Sequence, residues 1–382
     1  MIYLDNSATT YPKPPEVIRA VNGAVRTYAF NPGRGGYRQS LVTAQKVYEA
    51  RESIAAFFHA PSAERVIFTP GCTQSLNMVI KGVLKQGDHV VISSLEHNAV
   101  VRALYQLSEK GSITYDLADV VIGDDDATLS NFRRAINKRT RMIICTHASN
   151  VFGYRLPVER ICALAHSYQI LFCLDAAQSA GIFSIDMKND GYDFVCCAGH
   201  KYLYGPMGIG LLLIGNDNDI EPLVAGGTGS VSDQFSMPDF YPDRLEAGTQ
   251  NISGILGLKS GVDFVKKRGI KRIYAKETAL LDTLYRSLKD SERLRFIGRT
   301  EKRENAYAPV LAFTVKDTDS ETVVKELSDQ YRIAVRGGLH CAPVAHNSMK
   351  TLETGVIRIS PSVFTTANDI NILLQALKKY TK

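Results

Sequence analysis

Short apolar runs at residues 65–69, 89–93, 112–116, 142–146, 170–174, 194–197 and 209–214 punctuate the first part of the chain. Between most of them lie stretches with apolar positions at helical spacing: 74–84, 99–110, 128–137 and 159–168. Strand then helix, repeated, predicts an α/β unit with a mainly parallel seven-stranded sheet covered on both faces. The runs around 66–68, 143–145 and 171–174 are continuous rather than alternating, which suits strands buried on both sides. The pattern changes after about Gly215. Residues 225–250 are rich in Gly, Ser, Asp and Pro and read as a long functional loop. Helical stretches near 252–267 and 271–289 follow. Strand-like segments at 294–297, 310–315, 333–335 and 356–360 then mix with helices near 320–330 and 366–380, which predicts a smaller α+β domain. Thr366 and Asp369 have the spacing of a capping box at the start of the last helix.

Composition narrows the class. With 382 residues the chain exceeds one simple core, so two domains are expected, 15–255 and 1–14 plus 256–382. Hydrophobic residues make up 45% and charged residues 22%, ordinary for a globular protein in water. The net charge of +6 is dispersed, and the cluster around Lys266–Arg272 reads as a solvated helix end, so no nucleic-acid partner is expected. Apolar runs are far too short to span a bilayer, and the N-terminus lacks the pattern of a signal peptide. No membrane partner and a cytoplasmic location are therefore expected. Of seven cysteines, six lie in or beside apolar segments, and no pair has metal-ligand spacing. Cys196 and Cys197 are expected on opposite faces of a strand. Cys341 stands apart, in the Gly- and Pro-rich run Arg336-Gly337-Gly338-Leu339-His340-Cys341-Ala342-Pro343.

The chemistry gathers at strand ends. In an open parallel sheet, ligands bind beyond the carboxyl ends of the strands. There the chain places Pro70-Gly71-Cys72-Thr73-Gln74, then Glu96-His97-Asn98, His147-Ala148-Ser149-Asn150, Asp175-Ala176-Ala177-Gln178 and His200-Lys201. The first of these can seat a phosphate on a helix N-terminus, or be a plain helix cap. A lone histidine such as His97 is more often a capping or core residue, and a loop lysine more often a solvated charge. Taken together, the set meets the needs of pyridoxal phosphate (PLP): a phosphate seat, a carboxylate for the pyridine nitrogen, a flat group for the ring, amide donors for the phenolic oxygen and a lysine for the aldehyde.

These residues carry a resemblance. The ordered series Leu4-Asp5-Asn6-Ser7-Ala8-Thr9-Thr10, Asn31-Pro32-Gly33-Arg34-Gly35, Glu96-His97-Asn98, Ser149-Asn150-Val151-Phe152-Gly153, Asp175-Ala176-Ala177-Gln178, the His200–Pro206 run, Glu246-Ala247-Gly248-Thr249 and His340-Cys341-Ala342 resembles the cysteine desulfurases. These are PLP-dependent enzymes of the class V aminotransferase group, with the type I PLP-dependent transferase fold. The resemblance implies that Lys201 forms the Schiff base with PLP and moves protons on the substrate carbon. It implies that Asp175 pairs with the pyridinium, His97 stacks on the ring, and Gln178 bonds the phenolic oxygen with Asn150 nearby. Cys72, Thr73 and His200 would hold the phosphate. Thr249 would reach the phosphate of a neighbouring subunit, which implies a homodimer. Arg358, in Val356-Ile357-Arg358-Ile359-Ser360, would clamp the substrate carboxylate, with Ala8, Asn31, Arg34 and Asn150 on the substrate side. Cys341 would be the nucleophile that takes sulfur from L-cysteine as a persulfide and passes it to a protein acceptor, with His340 and Arg336 lowering its thiol pKa.

Two positions depart from the family pattern. Ala198 stands where Ser is common, which removes one phosphate hydroxyl. Tyr37 stands where His is frequent. The compact segment 336–348 resembles the type with a short His-Cys-Ala loop. A selenocysteine lyase, a transaminase or another carbon–sulfur lyase on the same scaffold is the alternative, and dependence on Cys341 separates them.

Overall fold

The computed structural model describes residues 1–33, 35–215, 218–300 and 305–381. In chain order its elements are β1 Ile2–Tyr3, α1 Pro15–Thr27, α2 Arg38–Phe58, β2 Val66–Thr69, α3 Cys72–Val83, β3 His89–Ser93, α4 Asn98–Glu109, β4 Thr114–Ala118, α5 Asp125–Ala135, β5 Thr140–Thr146, α6 Val158–Ser167, β6 Leu171–Asp175, α7 Met187–Asp190, β7 Phe194–Ala198 and β8 Gly210–Ile214. They continue with α8 Ile252–Arg268, α9 Ile270–Leu288, β9 Leu294–Phe296, β10 Leu311–Val315, α10 Ser320–Tyr331, β11 Ile333–Ala334, α11 Pro343–Ser348, β12 Ile357–Ile359 and α12 Ala367–Leu377.

A seven-stranded sheet runs β2-β8-β7-β6-β5-β3-β4. Its β3, β4, β5, β6 and β7 are parallel, and β8 is antiparallel to both of its neighbours. Strands β3, β7 and β8 are buried along their whole length, as continuous apolar runs require when helices cover both faces. The two faces feed separate apolar clusters, and Cys197 lies in one while Cys196 lies in the other. The adjacent cysteines thus point to opposite sides of β7, as the period of two demands.

A second assembly joins the two ends of the chain. β1 pairs in parallel with β11, and β10 lies between β9 and β12 in a three-stranded antiparallel sheet. Leu4, the α9 leucines Leu281, Leu284 and Leu288, and Leu373 and Leu377 of α12 share one apolar cluster there. The capping box of α12 is present, with Thr366 and Asp369 bonding each other's backbone N–H. In contrast, Ile255, Leu258 and Val262 of α8 belong to the core of the large sheet. We propose two domains, with the boundary moved from residue 255 to the α8–α9 junction at Gly269. That residue has φ 81°, a left-handed value that suits glycine at a helix break.

Candidate active site

The parallel strands end on one edge, and their loops enclose a cavity of about 480 Å³. Cys72, Thr73, His97, Asn150, Asp175, Gln178, His200 and Lys201, all expected from the sequence, line it. Because β5, β6 and β7 are neighbours in the sheet, the segments leaving them set Asn150, Asp175 and Lys201 side by side.

Asp175 is the last residue of β6 and 3% exposed. Its Oδ1 accepts the Ala177 N–H at 2.9 Å and the Cys72 thiol at 3.5 Å. Burial pushes the Cys72 thiol well above its ordinary pKa, and Asp175 adds to the shift, so Cys72 stays a protonated donor. Glu96, fully buried behind the site, is raised to about 8 by desolvation, with Asp175 contributing. Its Oε1 accepts the Thr146 N–H at 2.7 Å and the Ser93 hydroxyl. At neutral pH Glu96 therefore keeps its proton. Glu96 occurs in a motif quoted above, yet its role as a neutral structural acid was missed.

Lys201 follows β7 by three residues. Burial lowers its pKa, Asp175 and Cys72 oppose that shift, and Arg358 and Arg336 reinforce it. A lysine eased toward its neutral amine is the nucleophile a Schiff base needs. His97 caps α4, and its Nδ1 accepts the Ala99 N–H at 3.0 Å. Desolvation and the Lys201 charge bring its pKa to about 4, so it is a neutral imidazole with the proton on Nε2. The cap and the ring-stacking roles are compatible, since capping uses one nitrogen at the ring edge and leaves a face.

At the start of α3 the backbone bonds to Gly71 begin with Gln74 and Ser75, leaving the Cys72 and Thr73 N–H groups at the helix N-terminus. His200, lowered to about 4 by burial, has a buried Nδ1 without a hydrogen-bond partner among the described residues. Gln178 donates Nε2 to the Ser7 carbonyl at 3.0 Å, and its buried Oε1 is likewise unpartnered. A helix start and two orphaned polar atoms around one cavity are what a phosphorylated, hydrogen-bonding ligand satisfies, so the residues present fit PLP. Ser7 takes one of the two Gln178 amide hydrogens, so the side chain still offers a donor as well as its free acceptor to a ligand in the cavity. Ala198 lies beside them with no hydroxyl to add.

The remaining expected residues that are described do not line this cavity. Asn31 is exposed in the α1–α2 connection, where its carbonyl accepts the Ser40 hydroxyl at 2.8 Å. Arg34 lies outside the described residues. Tyr37 caps α2 from the same connection, exposed and edge-on to Phe30. Ala8 is in the segment that Gln178 holds through Ser7. Thr249 is exposed and lines a second cavity of about 260 Å³, which shares Pro70, Gln74 and Gly208 with the first. The segment carrying Thr249 is anchored by Glu246, whose Oε1 accepts from Arg51 Nη1 at 2.7 Å and from the Phe68 N–H at 2.6 Å.

Arg358, on β12 and 2% exposed, has its fork occupied within the chain. Nη2 meets Asp5 Oδ1 at 2.6 Å and Nη1 donates to the Asn150 carbonyl at 2.9 Å, while the buried Nε has no partner among the described residues. Through Asn150 it adjoins the cavity.

Cys341 alone of the seven cysteines is exposed. Leu339, His340, Cys341 and Ala342 form a tight turn closed by Ala342 N–H on the Leu339 carbonyl at 2.9 Å. Both central residues are left-handed, His340 at φ 49° and Cys341 at φ 57°. Such a turn suits Asn and Gly, and each other residue held there costs on the order of 1 kcal/mol. Two bonds from the cavity side hold it: Asn98 N–H to the Cys341 carbonyl, and Asn150 Nδ2 to the His340 carbonyl, each 2.8 Å. The expected electrostatic help from His340 is corrected. Burial, then Arg358, drives its pKa down to about 2, and its Nε2 donates to the Val356 carbonyl, so the ring is neutral. Arg336 is the cation left on this loop.

Missed altogether was the N-terminal strap. Lys13, Thr9 and Thr10 all donate to the His200 carbonyl, at 2.7, 3.2 and 3.1 Å from their side chains. Contacts spanning 187 to 191 residues leave no local signal in a sequence.

A mainly parallel sheet whose strand ends gather a half-buried lysine, a carboxylate and a helix start defines an α/β enzyme with a cofactor-sized site. The chain belongs to the aminotransferase class-V family, whose family model matches residues 2–373. It is 33% identical over 388 residues to a probable cysteine desulfurase of Methanothermobacter thermautotrophicus, covering 99% of this chain and 94% of that protein. It is 32% identical to another from Pyrococcus abyssi, covering 100% and 94%. Among solved structures, the apo cysteine desulfurase of Thermococcus onnurineus superposes with a TM-score of 0.89 at 29% identity, covering 100% of this chain and 94% of that one. The Escherichia coli cysteine desulfurase CsdA, in its S-sulfonic acid form, gives 0.88 at 26% identity, covering 99% and 94%.

Proposed function

We propose that this protein is a PLP-dependent cysteine desulfurase, converting L-cysteine to L-alanine with transfer of the sulfur to Cys341. The observation that carries the reading is the direct linkage between the lysine cavity and the exposed thiol: Asn150 lines the one and hydrogen-bonds the turn that presents the other.

PLP, when bound, supplies the electron sink for breaking bonds at the substrate's carbons. Lys201 would hold it through its amine, and that amine, when free, would move the proton at the substrate Cα. Asp175 would pair with the pyridine nitrogen. His97, neutral, would pack on the ring. The Cys72 and Thr73 N–H groups and His200 Nδ1 would hold the phosphate. Arg358 holds the substrate carboxylate, exchanging its present contacts for it. The Cys341 thiolate attacks the substrate sulfur. The C–S bond breaks, its carbon takes a proton, and the products are alanine and a Cys341 persulfide, with one thiol consumed for each persulfide formed.

The family resemblance supports a homodimer in which Thr249 serves the neighbouring site, a protein that accepts the persulfide sulfur, and a cytoplasmic location. Among the described residues no helix is long and apolar enough to cross a membrane.

The test is to measure sulfide and alanine together from L-cysteine, using PLP-loaded protein with a thiol reductant and Cys341→Ala as control. Equimolar products that vanish in the control are expected. Alanine that persists without Cys341, or pyruvate in its place, moves the assignment to a selenocysteine lyase or another carbon–sulfur lyase.

A further inference from the structure

Two carbonyls of the Cys341 turn are held from outside it, but by different means. Asn98 uses its backbone N–H, which no side-chain change removes. Asn150 uses its side chain, and that residue is already committed elsewhere: its own carbonyl accepts Arg358 Nη1 at 2.9 Å. Arg358 in turn bonds the first residue of the loop, its N–H reaching the Arg336 carbonyl at 2.8 Å. A continuous chain of bonds thus runs from the Arg358 guanidinium through Asn150 to the His340 carbonyl, and ends at a turn with left-handed φ at both central residues. Such a turn has a reason to open as soon as its restraints weaken.

We propose that Asn150 is a positioning residue for the nucleophile: its side-chain amide latches the Leu339–Ala342 turn closed, and a carboxylate engaging Arg358 releases it. The release follows from competition. A carboxylate needs both Nη groups of Arg358 for a two-pronged contact, and one of them now holds Asn150 in place. The occupied site would thereby be reported to Cys341, which gains freedom when there is sulfur to take. The release arm rests on the reading of Arg358 as the carboxylate site; the latch arm does not.

The probe is the rate at which iodoacetamide alkylates Cys341 in the PLP-loaded protein, mapped by peptide mass spectrometry. Asn150→Ala, and the isosteric Asn150→Asp, which puts an oxygen where the donor was, are expected to alkylate about five-fold faster than the parent, the weight of one ordinary hydrogen bond. L-alanine should accelerate the parent similarly, L-alaninamide should not, and neither should affect the variants. Variants that react at the parent rate overturn the latch. So does labelling that spreads to the six buried cysteines in both variants, since that reports general loosening. Equal effects of alanine and alaninamide on the parent overturn the release. The cofactor absorbance, recorded alongside, separates the two readings: no change with either compound counts against the proposed function, while the variant rates still decide the latch.

Discussion

Lys13 donates its ammonium to the carbonyl of His200 at 2.7 Å, one peptide before the lysine of the site. Its Nζ also meets Thr10 Oγ1 at 2.6 Å, and burial lowers its pKa to about 7. The strap thereby fixes the peptide from which Lys201 projects. Removing a charge-assisted bond of this kind costs about 1.5–3 kcal/mol, so Lys13→Met should lower kcat for alanine formation about ten-fold. Lys13→Arg should restore part of it. A change confined to KM would show that the strap does not act through Lys201.

Ala198 leaves the proposed phosphate seat one hydroxyl short of the family pattern. It ends β7, next to the His200–Lys201 turn, and is 4% exposed. Ala198→Ser adds a donor that is small enough for the position, and PLP retention should tighten about five-fold, read from equilibrium dialysis of the loaded protein. Unchanged or weaker retention would place the phosphate elsewhere.

Arg51 and Glu246 form a buried pair, with side chains 4% and 5% exposed. Gln250 adds a third donor to the carboxylate, at 2.7 Å. Glu246→Ala strands the Arg51 charge and should destabilise the fold by about 3–5 kcal/mol in urea unfolding. A combined Arg51→Met and Glu246→Leu chain should recover much of that loss, because no uncompensated charge remains. If the single and double variants are equally unstable, the pair matters through shape rather than charge.

Glu277 is fully buried, and desolvation raises its pKa from 4.5 to about 8, against the bond from the Tyr204 hydroxyl at 3.0 Å. The folded chain holds this proton where the unfolded chain has lost it. Stability should therefore fall as pH rises from about 5 to about 8 and level off above, by a few kcal/mol for this group. Glu277→Gln accepts the same Tyr204 bond and cannot ionise, so its stability should fall less across that range. Parallel pH profiles for the two proteins would refute the assignment.

The strands of the large sheet were legible because β3, β5 and β6 present runs of apolar side chains that no surface element would carry. Their polar termini could then be read as one site edge. β4 was placed two residues early: it is an edge strand with largely exposed, polar positions, so its apolar contrast fades before its hydrogen bonds do. α1 and α2 were not read at all. The buried side of α2 includes Ser40, Thr43 and Arg51, which dilute its apolar stripe. Arg358 stood out in the sequence as a candidate carboxylate clamp, but its engagement with Asp5 was not legible, since their partnership spans 353 residues. His340 looked like a helper for Cys341 from adjacency in the chain. The fold turns its ring inward, and proximity in sequence says nothing about which way a side chain is turned.

The division of labour between the two cores has a consequence for how such a protein can change. Everything proposed to grip the cofactor leaves the ends of β5, β6 and β7 or the starts of α3 and α4. The exposed thiol sits on a short excursion between β11 and α11, whose turn meets the cavity side through two carbonyl oxygens. Backbone acceptors are indifferent to the identity of the side chains around them. The excursion can therefore be rewritten, lengthened or emptied of its cysteine without disturbing the seat beneath. A lineage, or an engineer, can exchange one reaction for another by editing that loop while inheriting the cofactor platform whole.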